Sequence, residues 1–309
     1  MSNVLSIRHM PVDVIETLIS TAGEFKRSIK KSGPLKGLPK RTVGLLFFEN
    51  STRTRVGFEQ ACHYLGYRTV NFSGSGSSVK KGETLKDTIL TLRHERLEAV
   101  VIRHSSSGAC DLAARYFPGP VINAGDGWHE HPTQALGDGL TVLERKGKFS
   151  GLKVAIVGDI THSRVARSNA WLFSKLGAEV RFVSPRTLVP GQTSQFPATV
   201  YHDLRAGLEG VDVVMALRLQ LERMEQGLVS IGEYRRLYQI NRASLRVAAP
   251  DAIVMHPGPM NRGVEIDDQT ADGPNSTISE QVSNCIFVRM AALAYAFGDV
   301  RAAGTGGLT

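Results

Sequence analysis

The stretch LLFFENSTRTRVGFEQ, residues 45–60, runs four apolar side chains into a polar hinge. Hydroxyls and guanidinium groups then crowd Ser51-Thr52-Arg53-Thr54-Arg55, and apolar periodicity resumes at helical spacing with Val56, Phe58 and Ala61. That order predicts a buried strand followed directly by a helix. The first turn of a helix offers unpaired N–H groups and the positive end of its dipole. Arginine adds a planar fork that grips phosphate or carboxylate oxygens two at a time. The chemistry predicted here is therefore the cradling of a small anion. A Ser/Thr cap with solvated arginines would explain one hydroxyl but not the whole set. The segment lacks the G-x-x-x-x-G-K-[ST] spacing of a nucleotide-hydrolysing phosphate loop.

Comparable polar clusters recur at five further predicted strand ends: Arg103-His104, GDGWHEHPTQ, GDITHSR, ALRLQ and HPGP. His131 and Gln134 are one helical turn apart and face the same way. Arg164 opens a helix, where its neighbours' N–H groups also favour an anion. Arg218 and Gln220 lie two apart in an extended stretch, so their side chains share a side. Ligands bind open α/β sheets at the carboxyl ends of the strands, and six clusters there are much stronger evidence than one.

The elements that must position these groups follow from periodicity. A first helix carries Ile15, Leu18, Ile19, Ala22, Phe25 and Ile29 on one face, with Asp13-x-x-Glu16 as its expected cap. Strands are expected at 42–48, 67–72, 98–103 and 120–123, with helices at 53–65, 83–94 and 109–116 between them. The second half repeats the alternation through LKVAIVGD, AEVRFVSP, ATVYHD, VDVVMALR and DAIVMHPG, and a last helix begins at the capping box Thr277-x-x-Glu280. Helices alternating with apolar strands predict α/β architecture: two domains, each a mainly parallel sheet flanked by helices, with the active site in the crevice between them. The expected boundaries are residues 1–134 plus 284–309 for one domain and 135–283 for the other.

With 309 residues, the chain exceeds what one core usually serves. Hydrophobic residues make up 42% and charged residues 21%, the balance of a soluble globular protein. No apolar run reaches the length of a membrane span, and MSNVLSIRHMPVDVIE lacks an apolar signal core, which predicts a cytoplasmic protein. Cys62, Cys110 and Cys285 have neither metal-site nor C-x-x-C spacing and are expected to be reduced and buried. The net charge of +8 suits anionic small substrates as well as nucleic acid. The basic residues are scattered and form no recognised nucleic-acid motif, so no nucleic-acid partner is expected.

STRTR followed by FE, together with HPTQA at 131–135, GDITHSRVARSN, LRLQLER and MHPGPMNRGVEID, resembles the aspartate/ornithine carbamoyltransferase family, on its aspartate-using side. The likeness covers nearly the whole chain in the family's motif order. It implies transfer of the carbamoyl group of carbamoyl phosphate to the amine of L-aspartate, giving N-carbamoyl-L-aspartate and phosphate, the second step of pyrimidine (UMP) synthesis. It implies no metal and no organic cofactor. By the same resemblance, Ser51, Thr52, Arg53 and Thr54 hold the phosphate, and Arg103 reaches both phosphate and carbonyl oxygen. His131 donates to that carbonyl oxygen, and Gln134 holds the carbamoyl amide. Arg53, Thr54, Arg103 and His131 are the expected catalytic groups.

The resemblance further assigns aspartate binding to Arg164, Arg218, Gln220 and the backbone of Gly258 and Pro259. Ser77 and Lys81, within SGSGSSVKKGE, are implied to reach an adjacent subunit's site in a homotrimer, both to bind carbamoyl phosphate and Lys81 to bind aspartate as well. Association with regulatory chains or a dihydroorotase is left open. An ornithine-using relative is the alternative, but ornithine's ammonium would want an acidic or sulfur-bearing loop. This chain offers Arg218, Gln220 and Arg223 there, and Gly258 where ornithine enzymes carry cysteine. Gly57 stands where the family commonly has serine, and Gly137 and Gly139 fall inside the helix after HPTQ, either loosening it or allowing close packing. AIVGDI could suggest a nicotinamide-dependent oxidoreductase, but G-x-G-x-x-G is missing.

Overall fold

A computed structural model of the chain describes residues 1–35, 37–73, 83–220 and 230–300. The chain divides into two compact units, one comprising Met1–Leu140 with Ser283–Thr309 and the other Thr141–Val282.

The first unit alternates strand and helix as the apolar pattern requires: α1 (Val12–Ser32), β1 (Thr42–Phe47), α2 (Thr52–Leu65), β2 (Arg68–Ser73), α3 (Leu85–His94), β3 (Ala99–His104), α4 (Ala109–Tyr116) and β4 (Val121–Asp126). The four strands form a parallel sheet in the order β2-β1-β3-β4. β3 is apolar and fully buried from Ala99 to Ile102 because helices cover both faces of a parallel sheet. Each large aliphatic side chain so buried contributes about 1.5–3 kcal/mol. Gly66 ends α2 in the left-handed conformation, φ 71°, a geometry that favours glycine. α5 (Pro132–Lys146) starts in this unit and continues into the second.

The second unit contains β5 (Lys153–Val157), α6 (Arg164–Lys175), β6 (Glu179–Val183), β7 (Thr199–Tyr201), α7 (Leu204–Leu208), β8 (Val213–Ala216), α8 (Ile231–Tyr238), β9 (Ile253–Met255) and the short α9 (Asp268–Ala271). Its five parallel strands are ordered β7-β6-β5-β8-β9. α10 (Ile278–Phe297) leads the chain back into the first unit.

Strand order locates the chemistry within each unit. In the first sheet the winding reverses between β1 and β3, and in the second between β5 and β8. Connections leave such a pair of strands toward opposite faces, opening a cleft at their carboxyl ends. Ser51–Thr54 follows β1 and Arg103 is the last residue but one of β3; Arg164 follows β5 and Arg218 follows β8.

Two expected caps are replaced. α1 is preceded by Pro11, which makes no side-chain capping bond, and Asp13 already lies inside the helix. Before α10 the Thr277 hydroxyl donates to the Val254 carbonyl, while Glu280 pairs with Arg145. β8 also stops at Ala216, two residues short of the expected strand end. The three cysteines are free and buried, and burial pushes the Cys62 and Cys285 thiols up to about 12. Among the described residues no helix is long and apolar enough to cross a membrane.

Candidate active site

In the first unit, Ser51 is the N-cap of α2, and its hydroxyl accepts the Thr54 N–H at 3.4 Å. Thr54 is buried, whereas the Thr52 and Arg53 side chains stand in solvent. Arg103 is held from two sides: its guanidinium donates to the Ala124 carbonyl at 3.3 Å and lies 3.6 Å from a Glu49 carboxylate oxygen. The Phe48 N–H donates to the Arg103 carbonyl at 2.9 Å, which keeps β1 and β3 together beyond the regular sheet. Next to Arg103, burial holds the His104 imidazole below its ordinary range, against the nearby charges of Asp126 and Glu49. Its Nδ1 accepts the Ser106 N–H at 2.9 Å.

The turn from β4 to α5 is organised by two buried carboxylates. Asp126 accepts from Gly108 N–H at 2.7 Å, Asn123 Nδ2 at 2.8 Å and Glu130 N–H at 3.3 Å, and the His129 ring lies 3.1–3.2 Å from its oxygens. Burial alone would raise the Asp126 carboxyl, but the bonds from His129, Asn123 and Gly108 and the charge of His129 bring it below its ordinary value. The bond to Asp126 raises His129 in turn, against burial. Ligand atoms of Asp111, Asp126 and His129 fall within 4.8 Å of one another, but the Asp126 oxygens are already taken by these donors. Glu130 accepts from the Ser6 hydroxyl, Ile7 N–H at 2.7 Å and Arg8 N–H at 3.2 Å.

His131 follows, 4% exposed, and its carbonyl accepts the N–H groups of Gln134 and Ala135 at 3.0 and 3.2 Å. It therefore caps α5, with Pro132 in the first helical position. The Gln134 amide nitrogen donates to Asp138 at 2.8 Å.

Two of the glycines make room. A Cβ on Gly57 would collide with the guanidinium of Arg289, which is buried and stacked on Phe58. A Cβ on Gly137 would stand 2.5 Å from the Cys285 sulfur and 3.2 Å from its Cα, so at this position close packing is the reason for glycine.

In the second unit, Ser163 caps α6 by accepting the Ala166 N–H at 3.1 Å, and Arg164 is the first helical residue, 6% exposed. His162 is paired with Asp159 at 2.9–3.0 Å, and burial pushes the Asp159 carboxyl up against that pull. The Gln220 amide donates to the His162 carbonyl at 3.0 Å, and the Asn261 amide donates to the Leu219 carbonyl at 3.2 Å. The half-buried Arg218 thus belongs to a stretch tied to the Asp159–His162 turn and to the loop after β9.

That loop has its own frame. His256 Nδ1 accepts the Gly258 N–H at 2.8 Å, which leaves its Nε2 proton to donate to Glu265 at 3.2 Å. The same Glu265 oxygen accepts the Asn261 N–H at 2.6 Å. Gly258, at φ 64°, precedes Pro259 across a cis peptide bond.

The first unit therefore brings Ser51–Thr54 and Arg103 to one sheet edge, with His131 and Gln134 at the next strand's exit, and the second brings Arg164, Arg218, Gln220 and Gly258 to another. Ser77, Lys81 and Arg223 lie outside the described residues. Sequence reasoning missed the frame: Glu49, Asp126, Glu130, Asp159 and Glu265. One signal was available, because Asp-x-x-His follows a predicted strand twice, at Asp126–His129 and Asp159–His162.

Residues 2–144 match the family model described as aspartate/ornithine carbamoyltransferase, carbamoyl-P binding domain, and residues 150–296 match its Asp/Orn binding domain. The aspartate carbamoyltransferase catalytic subunit of Desulforamulus reducens is 52% identical over 296 residues, covering 94% of each chain. The catalytic subunit from Granulibacter bethesdensis is 52% identical over 289 residues, 92% of this chain and 89% of the relative. Among solved structures, the aspartate transcarbamoylase of Trypanosoma cruzi in complex with carbamoyl aspartate and phosphate superimposes with a TM-score of 0.86 at 32% identity, covering 94% of this chain and 95% of that one. The ornithine carbamoyltransferase of Pyrococcus furiosus gives 0.87 at 30% identity, covering 97% and 98%.

Proposed function

The chain belongs to the aspartate/ornithine carbamoyltransferase family, and from that premise we propose that it carbamoylates L-aspartate with carbamoyl phosphate, giving N-carbamoyl-L-aspartate and phosphate. The observation that carries the reading is that each unit, within itself, sets an arginine at a capped helix start beside a second arginine at its own sheet switch point. One unit has Arg53 at its helix start and the tethered Arg103; the other sets Arg164 at a helix start and Arg218 after the neighbouring strand.

Ser51, Thr52, Arg53 and Thr54 hold the donor's phosphate, with N–H groups and guanidinium matched to its oxygens. Arg103 and His131 donate to the carbamoyl oxygen. The Gln134 carbonyl oxygen accepts from the carbamoyl amine, while its amide nitrogen donates to Asp138. Arg164, Arg218 and Gln220 hold the acceptor's two carboxylates, and the Gly258 and Pro259 carbonyls accept from its amine. Attack of the amine on the carbonyl carbon makes a tetrahedral oxyanion facing fixed donors. The C–O bond to phosphate then breaks, and the departing phosphate takes the proton released by the amine. This sequence uses neither a protein nucleophile nor a metal.

The same reading makes the protein a cytoplasmic enzyme of pyrimidine synthesis and a homotrimer in which Ser77 and Lys81 serve the neighbouring chain's site. Regulatory chains or a dihydroorotase are its candidate larger partners. An acceptor screen with carbamoyl phosphate tests the core of it. L-Aspartate is expected to give by far the highest kcat/KM, with N-carbamoyl-L-aspartate as the identified product. A higher value for L-ornithine, putrescine or N-acetylornithine sinks the aspartate assignment and moves the chain to the ornithine-using side of the family.

A further inference from the structure

The β4–α5 turn contains a buried carboxylate that the reaction above does not use. Glu130 is 2% exposed, and its two oxygens accept three donors from one short N-terminal stretch: the Ser6 hydroxyl, the Ile7 N–H and the Arg8 N–H. Its backbone is fixed as well. The Glu130 N–H donates to the Asp126 side chain at 3.3 Å, and its carbonyl accepts the Asp126 N–H at 3.2 Å. Asp126 is anchored to Gly108 and Asn123. The N-terminal stretch is itself clamped to the edge of the sheet. Val4 N–H donates to the Val121 carbonyl at 3.0 Å, Asn123 N–H donates to the Val4 carbonyl at 2.9 Å, and Asn123 Nδ2 donates to the Leu5 carbonyl at 2.9 Å. A continuous frame therefore runs from residues 4–8 to the residue immediately before His131.

We propose that Glu130 is a positioning residue for His131: an acceptor-only group that ties the start of α5 to Ser6–Arg8 and so fixes where the imidazole stands. The inference rests on the reading of His131 as donor to the carbamoyl oxygen. Its physical core is the donor count. Three donors converge on two oxygens, a demand that an ionised carboxylate meets and a neutral amide does not. In Glu130→Gln the amide nitrogen faces an N–H or O–H donor whichever way the group is turned. The turn must then yield, and His131 is the next residue along the chain. Catalytic geometry is sensitive at this scale, since a displacement of about 1 Å can cost roughly 100-fold in rate.

A double-mutant cycle on the full-length enzyme tests this. Glu130→Gln is expected to lower kcat roughly 10- to 100-fold. Inorganic phosphate should still bind within about twofold of wild type, because its cradle is on α2. In a His131→Gln background the same substitution should cost less than about twofold further, since the group it positions is gone. An equal loss in both backgrounds overturns the inference, as does a wild-type kcat for Glu130→Gln. Wild-type kcat for His131→Gln is a different failure, one that removes the catalytic role of His131 and the inference with it. If Glu130→Gln does not accumulate as folded protein, Ser6→Ala goes through the same cycle. It removes one donor and leaves the carboxylate its two backbone partners, so a smaller loss that disappears in the His131→Gln background supports the inference. A loss that persists there overturns it.

Discussion

Arg53 and Arg218 carry the same charge in different units, so their loss should separate the two substrates. Arg53→Ala is expected to weaken carbamoyl phosphate use and turnover, and Arg218→Ala to raise the KM for aspartate. Removing one partner of a hydrogen-bonded charge pair that the bound substrate desolvates costs about 2–5 kcal/mol. Steady-state kinetics with each substrate varied would reverse the assignment if Arg218→Ala abolished donor binding and left the aspartate dependence intact. The His129–Asp126 pair carries a stability signature. His129 is raised above 6.5, so the stability it supplies is fully present below its unfolded value and is lost as pH rises through the folded one. Asp126 is depressed below 3.8, so its share is present above that value and lost as pH falls through the lower folded value. The pair is therefore strongest between those limits. The drop in Tm on His129→Asn should be larger near pH 6 than at about pH 8.5, and small at both because the ring is partly solvated. An equal drop at both values would show that the pair makes no titratable contribution.

At the scale of elements, the alternation of strands and helices was legible because buried parallel strands are short runs such as Ala99–Ile102, while their covering helices keep one apolar stripe. The anion-binding helix start was legible too, since Ser51 and the hydroxyls and arginines after it are contiguous. What stayed hidden is what depends on distant partners. Glu130 reaches donors 122–124 positions away, and no local pattern in HEHPTQ points to Ser6–Arg8. Thr277 had the spacing of a cap, but its hydroxyl satisfies the Val254 carbonyl instead. Gly137 could be read two ways until its neighbour was known. In α5 an alanine would ordinarily gain about 1 kcal/mol over glycine. Here the added carbon meets both the side chain and the backbone of Cys285, so Gly137→Ala should lower stability by about 1–3 kcal/mol. Cys285→Ala in the same chain should recover part of that, because the sulfur is gone while the backbone at position 285 still crowds the new methyl group. Thermal unfolding of both variants decides it, and a rise in Tm for Gly137→Ala alone would contradict the packing account.

At the scale of the whole molecule, the homotrimer proposal has a consequence that a self-sufficient chain would not share. If each site combines one chain's Arg53 with a neighbour's Lys81, Arg53→Ala and Lys81→Ala homotrimers should each be nearly inactive. After subunit exchange between the two, a site built from one parent's Arg53 and the other's Lys81 carries neither defect. In a closed ring every mixed trimer has one such junction in the productive direction. About three quarters of randomly mixed trimers contain both chain types, and one site in three of each is intact, so recovery should approach roughly a quarter of wild-type activity. Distinguishable tags on the two parents establish that hybrids have formed. Confirmed hybrids without recovered activity would mean that Lys81 acts within its own chain's site or in none, and the shared-site trimer would have to be given up.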